Sequence, residues 1–212
     1  MEINKHPAKY SDCLLPIFDN YLPDNSHKIL DPFAGTGKLR KVRSNCILLE
    51  IEPEWANESG AIIGDATMMP FDSGYFDAIC TSPTYGNRMA DSFEDKQPQK
   101  KYKRYTYKHS LGRTLTANNS GSMQWGAKYR ELHIKAWLEC YRVLKVGGVF
   151  ILNISDHTRK GAVVPVTQWH VDEIIKIGFM QIEHIKVETK RQRHGQNRGL
   201  RVDHESVVVF NK

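Results

Sequence analysis

Five short runs, Lys28 to Asp31, Cys46 to Ile51, Ala61 to Gly64, Tyr75 to Thr81 and Gly148 to Ile154, are apolar almost without interruption. A strand wetted on one side alternates apolar and polar residues, whereas one covered on both faces does not. The runs therefore predict strands of a parallel sheet with helices on each side. Between the last two, Tyr129, Leu132, Ala136, Cys140, Val143 and Leu144 recur at helical spacing, which predicts a helix over Lys128 to Lys145 that Gly147 and Gly148 stop. A second helix is expected from Val166 to Ile177, and an antiparallel pair from Met180 to Glu188 and Glu205 to Phe210. Strands alternating with helices and closing on a strand pair imply a three-layer, doubly wound α/β fold, mostly parallel with a terminal antiparallel strand.

With 212 residues, 40% of them hydrophobic, the chain can bury one sizeable core, so residues 1–212 are expected to form a single domain. No run of about eighteen apolar residues occurs, and the amino terminus lacks the sections of a signal peptide. A soluble, cytoplasmic protein is expected. Cys13, Cys46, Cys80 and Cys140 are far apart and show no C-x-x-C pattern, so they read as reduced thiols, and the scattered histidines show no zinc spacing. No metal is expected.

The first strand runs directly into Asp31-Pro32-Phe33-Ala34-Gly35-Thr36-Gly37. Glycines there allow a sharp turn and close approach of backbone to a ligand, and Asp31 can accept a hydrogen bond from a ligand amine. Glu50, near the end of the second strand, is placed to accept both hydroxyls of a ribose, with Glu52 as the substitute. After the third strand, Asp65 and Ala66 can lie at the edge of an adenine ring. After the fourth comes Ser82-Pro83-Thr84-Tyr85.

These motifs, in this order, resemble those of class I S-adenosylmethionine-dependent methyltransferases, specifically the branch that methylates amino groups of DNA bases. The stretch Val143 to Gly148 is similar to the segment those enzymes place before their fifth strand, and His6 to Tyr10 resembles their amino-terminal cofactor motif. The resemblance implies a Rossmann-like methyltransferase fold, S-adenosylmethionine as cofactor, and cofactor contacts from Asp31, Phe33, Ala34, Gly35, Thr36, Gly37, Glu50, Asp65 and Ala66. It also implies that Ser82, Pro83 and Tyr85 are catalytic. An exocyclic amine is a poor nucleophile because its lone pair is delocalised into the ring. Acceptors at Ser82 Oγ and the Pro83 carbonyl could each take one N–H and align that lone pair, while Tyr85 stacks on a flipped base. Thr84 stands where the family has a second proline, which loosens the backbone and adds a hydroxyl beside the pocket.

The formal charge is +6, yet Gly86 to Arg130 alone carries ten Lys/Arg against three acids, a net +7. Residues 86–126 are polar, lack a sustained period and are long for a connection, so they read as a basic insertion that contacts DNA. Within it Arg88, Lys100, Lys101, Lys103, Arg104, Tyr105 and Lys108 interleave charge with aromatic rings, suiting phosphate contact and base stacking. Arg191 and Arg193 lie in a second basic stretch, either a DNA-facing hairpin tip or a solvated one, and Trp125 suits either a base contact or the core. The partner implied is DNA, in modification of the kind that accompanies restriction. RNA guanine amines and protein glutamine amides are alternative acceptors, and a non-enzymatic binding module is a third reading.

Overall fold

The computed structural model describes residues 11–86, 107–189 and 202–212. Nine strands and five α-helices are found among them: α1 (Leu15–Tyr21), β1 (Ile29–Asp31), β2 (Ile47–Glu50), α2 (Pro53–Ser59), β3 (Ile62–Ile63), β4 (Phe76–Thr81), α3 (Tyr107–Leu111), α4 (Ala127–Val143), β5 (Leu144–Ile154), β6 (His157–Arg159), β7 (Ala162–Val164), α5 (Val166–Ile177), β8 (Met180–Glu188) and β9 (His204–Asn211). Seven strands form one sheet in the order β3-β2-β1-β4-β5-β9-β8. The first five are parallel, and β9 runs antiparallel to both neighbours. Strand order reverses between β1 and β4, which opens a crevice at the carboxyl ends of those strands, where open α/β sheets bind ligands.

Successive residues of the central strands point to opposite faces, so each strand feeds two cores. Leu30, Ile79, Phe150, Leu152, Val208 and Phe210 pack with Ala136, Trp137 and Cys140 of α4 and with Val171 and Ile174 of α5. Ile29, Leu48, Ala78, Cys80, Ile151 and Val207 pack on the other face with Leu14, Phe18 and Leu22. This double coverage is what the uninterrupted apolar runs foretold, and Cys46, Cys80 and Cys140 are buried, free thiols.

Four features depart from the sequence reading. The long helix ends at Val143 rather than Lys145, because Leu144 turns extended and pairs with Phe76 at the start of β5. Gly147, at φ 77°, lies inside β5 and not at a helix end, and its N–H bonds the Lys212 carbonyl at 2.9 Å. Leu144 is fully buried and satisfies either pattern. The third run contracts to β3, whose Ile62 and Ile63 are exposed because they form the sheet edge. The stretch 107–126 is ordered into α3 and a 3-10 turn at Ser120–Ser122, burying Tyr107 and Leu115 against Trp55 of α2. The β6–β7 hairpin was not foreseen; its turn residues Lys160 and Gly161 both take positive φ, as a tight two-residue hairpin requires. Among the described residues, no helix is long and apolar enough to cross a membrane.

Candidate active site

Asp31, Glu50 and Asp65 stand at or just beyond the carboxyl ends of the adjacent strands β1, β2 and β3. Asp31 is buried, and its Oδ1 accepts from Thr81 Oγ1 at 2.7 Å and the Phe33 N–H at 3.2 Å. Burial pushes its carboxyl up to about 6, against the pull of those two donors. Beyond it Gly35 and Gly37 take left-handed backbone, at φ 52° and 71°. A Cβ on Gly37 would lie 2.7 Å from Leu48 Cδ1, so the turn lies tight on β2.

The Gly35 N–H donates to Glu50 Oε2 at 2.8 Å, and the Glu52 N–H to Glu50 Oε1 at 2.9 Å. Glu50 thus braces the glycine turn while each oxygen keeps a second lone pair. Its burial raises the carboxyl to about 7 even so. Asp65 Oδ1 accepts from the Thr67 N–H and hydroxyl, both at 2.8 Å, and its Oδ2 from Asn118 Nδ2 at 3.1 Å. Ala34, Gly35 and Ala66 are buried beside these acids, and Phe33 and Thr36 are half-buried.

Glu52 does not join this row. Its side chain is fully buried, and it accepts from Thr116 N–H at 2.8 Å, Thr116 Oγ1 at 3.0 Å, Asn119 Nδ2 at 2.7 Å and Arg113 Nη2 at 2.7 Å. It therefore anchors the 113–119 stretch and has no lone pair to spare for a ribose. Arg113 also bonds Glu54, holding that carboxyl below its ordinary value, so one of the cations counted toward a DNA-binding face is committed to two acids.

Ser82 to Tyr85 leave the end of β4 beside β1, with Pro83 buried and the other three half-buried. Ser82 Oγ lies 3.3 Å from Tyr85 Oη, and Tyr85 Oη donates to Glu205 Oε2 at 3.1 Å. Asn153 Nδ2 reaches Glu205 Oε2 at 2.8 Å, Ser82 Oγ at 3.1 Å and Tyr85 Oη at 3.2 Å. The Thr84 hydroxyl donates to Ser120 Oγ at 2.9 Å, and the Thr84 carbonyl accepts from Tyr129 Oη at 2.5 Å. A proline at position 84 would offer no hydroxyl to Ser120, so the substitution adds a tether to the 107–126 stretch. Trp125 packs on the core, in ring contact with Tyr129 and Trp169.

Sequence reasoning missed Asn153 and Glu205. Their signals are an amide inside the apolar GVFILNI and an acid opening the apolar ESVVVF, both polar residues where burial is expected. Arg88, Lys100, Lys101, Lys103, Arg104, Tyr105, Arg191, Arg193 and the His6 to Tyr10 motif lie outside the described residues, as does the side chain of Lys108.

A model of the N6/N4 methyltransferase family, described as DNA methylase, matches residues 76–212, from β4 to the end of the chain. The fold is similar to that of an S-adenosylmethionine-dependent methyltransferase from Methanosarcina mazei, at 13% identity and TM-score 0.57 over 93% of this chain and 97% of that one. It is also similar to a methyltransferase of Thermotoga maritima described as a possible histamine N-methyltransferase (18% identity, TM-score 0.53, 93% and 87% covered). The cyclase SpnF shares it as well, at 14% identity and TM-score 0.59, with 99% and 85% covered. Such distant likenesses establish the fold and leave the chemistry to the site. No curated protein matches the chain in sequence.

Proposed function

The chain belongs to the DNA methylase family of S-adenosylmethionine-dependent methyltransferases, and on that premise we propose that it methylates the exocyclic amine of cytosine or adenine in DNA. The observation that carries this reading is the 2.7 Å hydrogen bond from Thr81 Oγ1 to Asp31 Oδ1. It brings the residue before Ser82 against the first acid of the glycine turn, so the proposed catalytic loop and the proposed cofactor turn share one crevice.

The donor groups of S-adenosylmethionine are an ammonium, two ribose hydroxyls and an adenine amine, and the crevice offers acids in series. Asp31 would take the ammonium, Glu50 the ribose and Asp65 with Ala66 the adenine edge, with Phe33, Ala34, Gly35, Thr36 and Gly37 forming the wall between. When bound, the cofactor supplies an electrophilic methyl on a sulfonium. Ser82 Oγ and the Pro83 carbonyl accept the two N–H bonds of the target amine, which draws its lone pair out of conjugation and fixes its direction. The Tyr85 phenol oxygen is held inward, leaving the ring to stack on a base flipped out of the duplex. Arg88, Lys100, Lys101, Lys103, Arg104, Tyr105, Lys108, Arg191 and Arg193 are assigned to the nucleic acid, through phosphate contacts and stacking.

The test is incubation with labelled cofactor and separate DNA, RNA and protein pools, followed by mass spectrometry of nucleosides from the DNA. N4-methylcytosine or N6-methyladenine is the expected product. Label confined to RNA or to protein overturns DNA as the substrate.

A further inference from the structure

Glu205 and Asn153 sit behind the Ser82-to-Tyr85 loop on β9 and β5, whose residues Asn153 and Val207 are paired across the sheet. Neither belongs to a motif read from the sequence, yet both are buried and both reach the loop. The directions of the hydrogen bonds follow from what each group can do. An ionised carboxylate only accepts, so the Asn153 amide must turn its Nδ2 toward Glu205. Tyr85 donates to the same carboxylate oxygen, which leaves the Ser82 hydroxyl to donate to Tyr85 Oη and to accept from Asn153. Among the described residues Asn153 Oδ1 is left buried without a hydrogen-bond partner, a cost that cores ordinarily avoid. An arrangement that tolerates such an orphan in order to point Nδ2 at three oxygens is organised around the carboxylate.

We propose that Glu205, oriented by Asn153, is the far end of a proton path that leaves the target amine through Ser82 and Tyr85. This rests on the methyl-transfer reading above. As the amine nitrogen takes the methyl group with its lone pair, and the sulfur keeps the electrons of the broken S–C bond, one N–H proton passes to Ser82 Oγ. The Ser82 hydroxyl proton moves to Tyr85 Oη, and the Tyr85 proton moves to Glu205 Oε2. Glu205 ends neutral, Ser82 and Tyr85 regain their protons, and the methylated amine is left uncharged. Glu205 is thus a positioning residue that also receives the proton, acting through Tyr85 and Ser82.

Glu205→Gln tests this, because the amide oxygen can still accept from Tyr85 and Asn153 but is a far weaker base than a carboxylate. The expected result is a single-turnover methyl-transfer rate lowered about 100-fold, the scale of a lost acid–base step, with cofactor affinity and KM for DNA nearly unchanged. Glu205→Asp, which restores a carboxylate, should recover most of the rate. A readout independent of activity is the Asn153 side-chain amide in 15N NMR, assigned by its loss in Asn153→Asp. Its protons should move upfield in Glu205→Gln, where a neutral acceptor replaces a charged one. A wild-type rate in Glu205→Gln, or Asn153 resonances that do not move, overturns the proton path and leaves DNA methylation standing. So does a loss of rate in Glu205→Gln that Glu205→Asp does not recover, which would mark a structural role. If the label enters RNA or protein instead, DNA fails as substrate and the same variants decide the path on that acceptor; a wild-type protein that labels none of the three pools overturns both.

Discussion

Tyr129 Oη donates to the Thr84 carbonyl at 2.5 Å, tying the long helix α4 to the loop that carries Ser82. Behind it stands a chain of fixed direction. The Trp137 indole can only donate, and it bonds His170 Nδ1 at 3.0 Å; His170 Nε2 therefore carries the ring proton and donates to Tyr129 Oη at 3.0 Å. Burial keeps His170 well below its ordinary pKa, so the ring is neutral, as this chain requires. Tyr129→Phe removes both of these hydrogen bonds and leaves the buried His170 N–H without its acceptor, so it should cost about 2–3 kcal/mol in chemical denaturation. Its larger effect should fall on the rate of methyl transfer, with cofactor affinity little changed, measured by single turnover and calorimetric titration.

Glu52 predicts a stability effect outside the proposed chemistry. Glu52→Ala takes the acceptor from the half-buried Thr116 N–H and the buried Asn119 side-chain amide, and removes one of the two acids that hold Arg113. Removing one partner from such a buried charged cluster typically costs about 3–5 kcal/mol; because Arg113 is partly exposed, we place the loss at the lower end, about 3 kcal/mol. Urea denaturation measures it, and limited proteolysis should find new cleavage within residues 107–126.

Two groups of buried residues respond to acid in opposite senses. Burial lowers His133 to about 4. Below pH 6.5 the unfolded chain therefore takes up a proton that the folded one refuses, and stability falls as pH drops toward 4. Asp31 and Glu50 are raised to about 6 and about 7, so the folded state holds protons the unfolded chain has released. Their contribution favours folding at low pH and is lost as pH rises through 6 to 7. In the wild type the two slopes offset one another between roughly pH 4.5 and 6.5. Glu50→Gln removes one of the opposing terms, so its melting temperature should fall more steeply on acidification than the wild type's, as a pH series of thermal scans will show. Since Glu50 must be ionised to accept two ribose hydroxyls, cofactor affinity should also weaken below about pH 7 in the wild type, and in Glu50→Gln the onset should move down to about pH 6, where Asp31 takes up its proton.

What was legible in the sequence is what local pattern encodes. Uninterrupted apolar runs marked strands covered on both faces, and the glycines of the turn after Asp31 marked backbone that other residues avoid. The errors lie where a residue obeys two patterns or where the partner is distant in the chain. Leu144 is apolar and buried in either a helix or a strand, and its pairing with Phe76 decided between them. Glu52 and Glu50 are indistinguishable two residues apart, but Glu50 ends β2 and faces the glycine turn, whereas Glu52 lies beyond the strand at the start of α2 and faces residues 113–119. Asn153 and Glu205 join Ser82 and Tyr85 only because β5 lies between β4 and β9, a neighbourhood that no local window contains.

Gly86 ends the Ser82-to-Tyr85 loop at φ +61°, and its carbonyl accepts the Trp125 N–H at 2.8 Å. A Cβ there would lie 2.9 Å from Trp125 N and 3.1 Å from its Cα, both backbone atoms that cannot rotate aside, and 3.3 Å from the Tyr129 ring. Gly74 has nearly the same backbone, φ +64°, with nothing among the described residues within 4 Å of its Cβ position. The two positions therefore separate strain from collision. Gly74→Ala should cost only the left-handed backbone penalty of about 1–2 kcal/mol, with methyl transfer unaffected. Gly86→Ala should cost more than that, because the loop or the segment at Trp125 must shift. Such a shift displaces Tyr85 from Asn153 and Glu205, so the rate of methyl transfer should fall well beyond what the lost stability explains. Equal denaturation midpoints for the two variants, with full activity in both, would show that the loop can move away from Trp125 without disturbing the site.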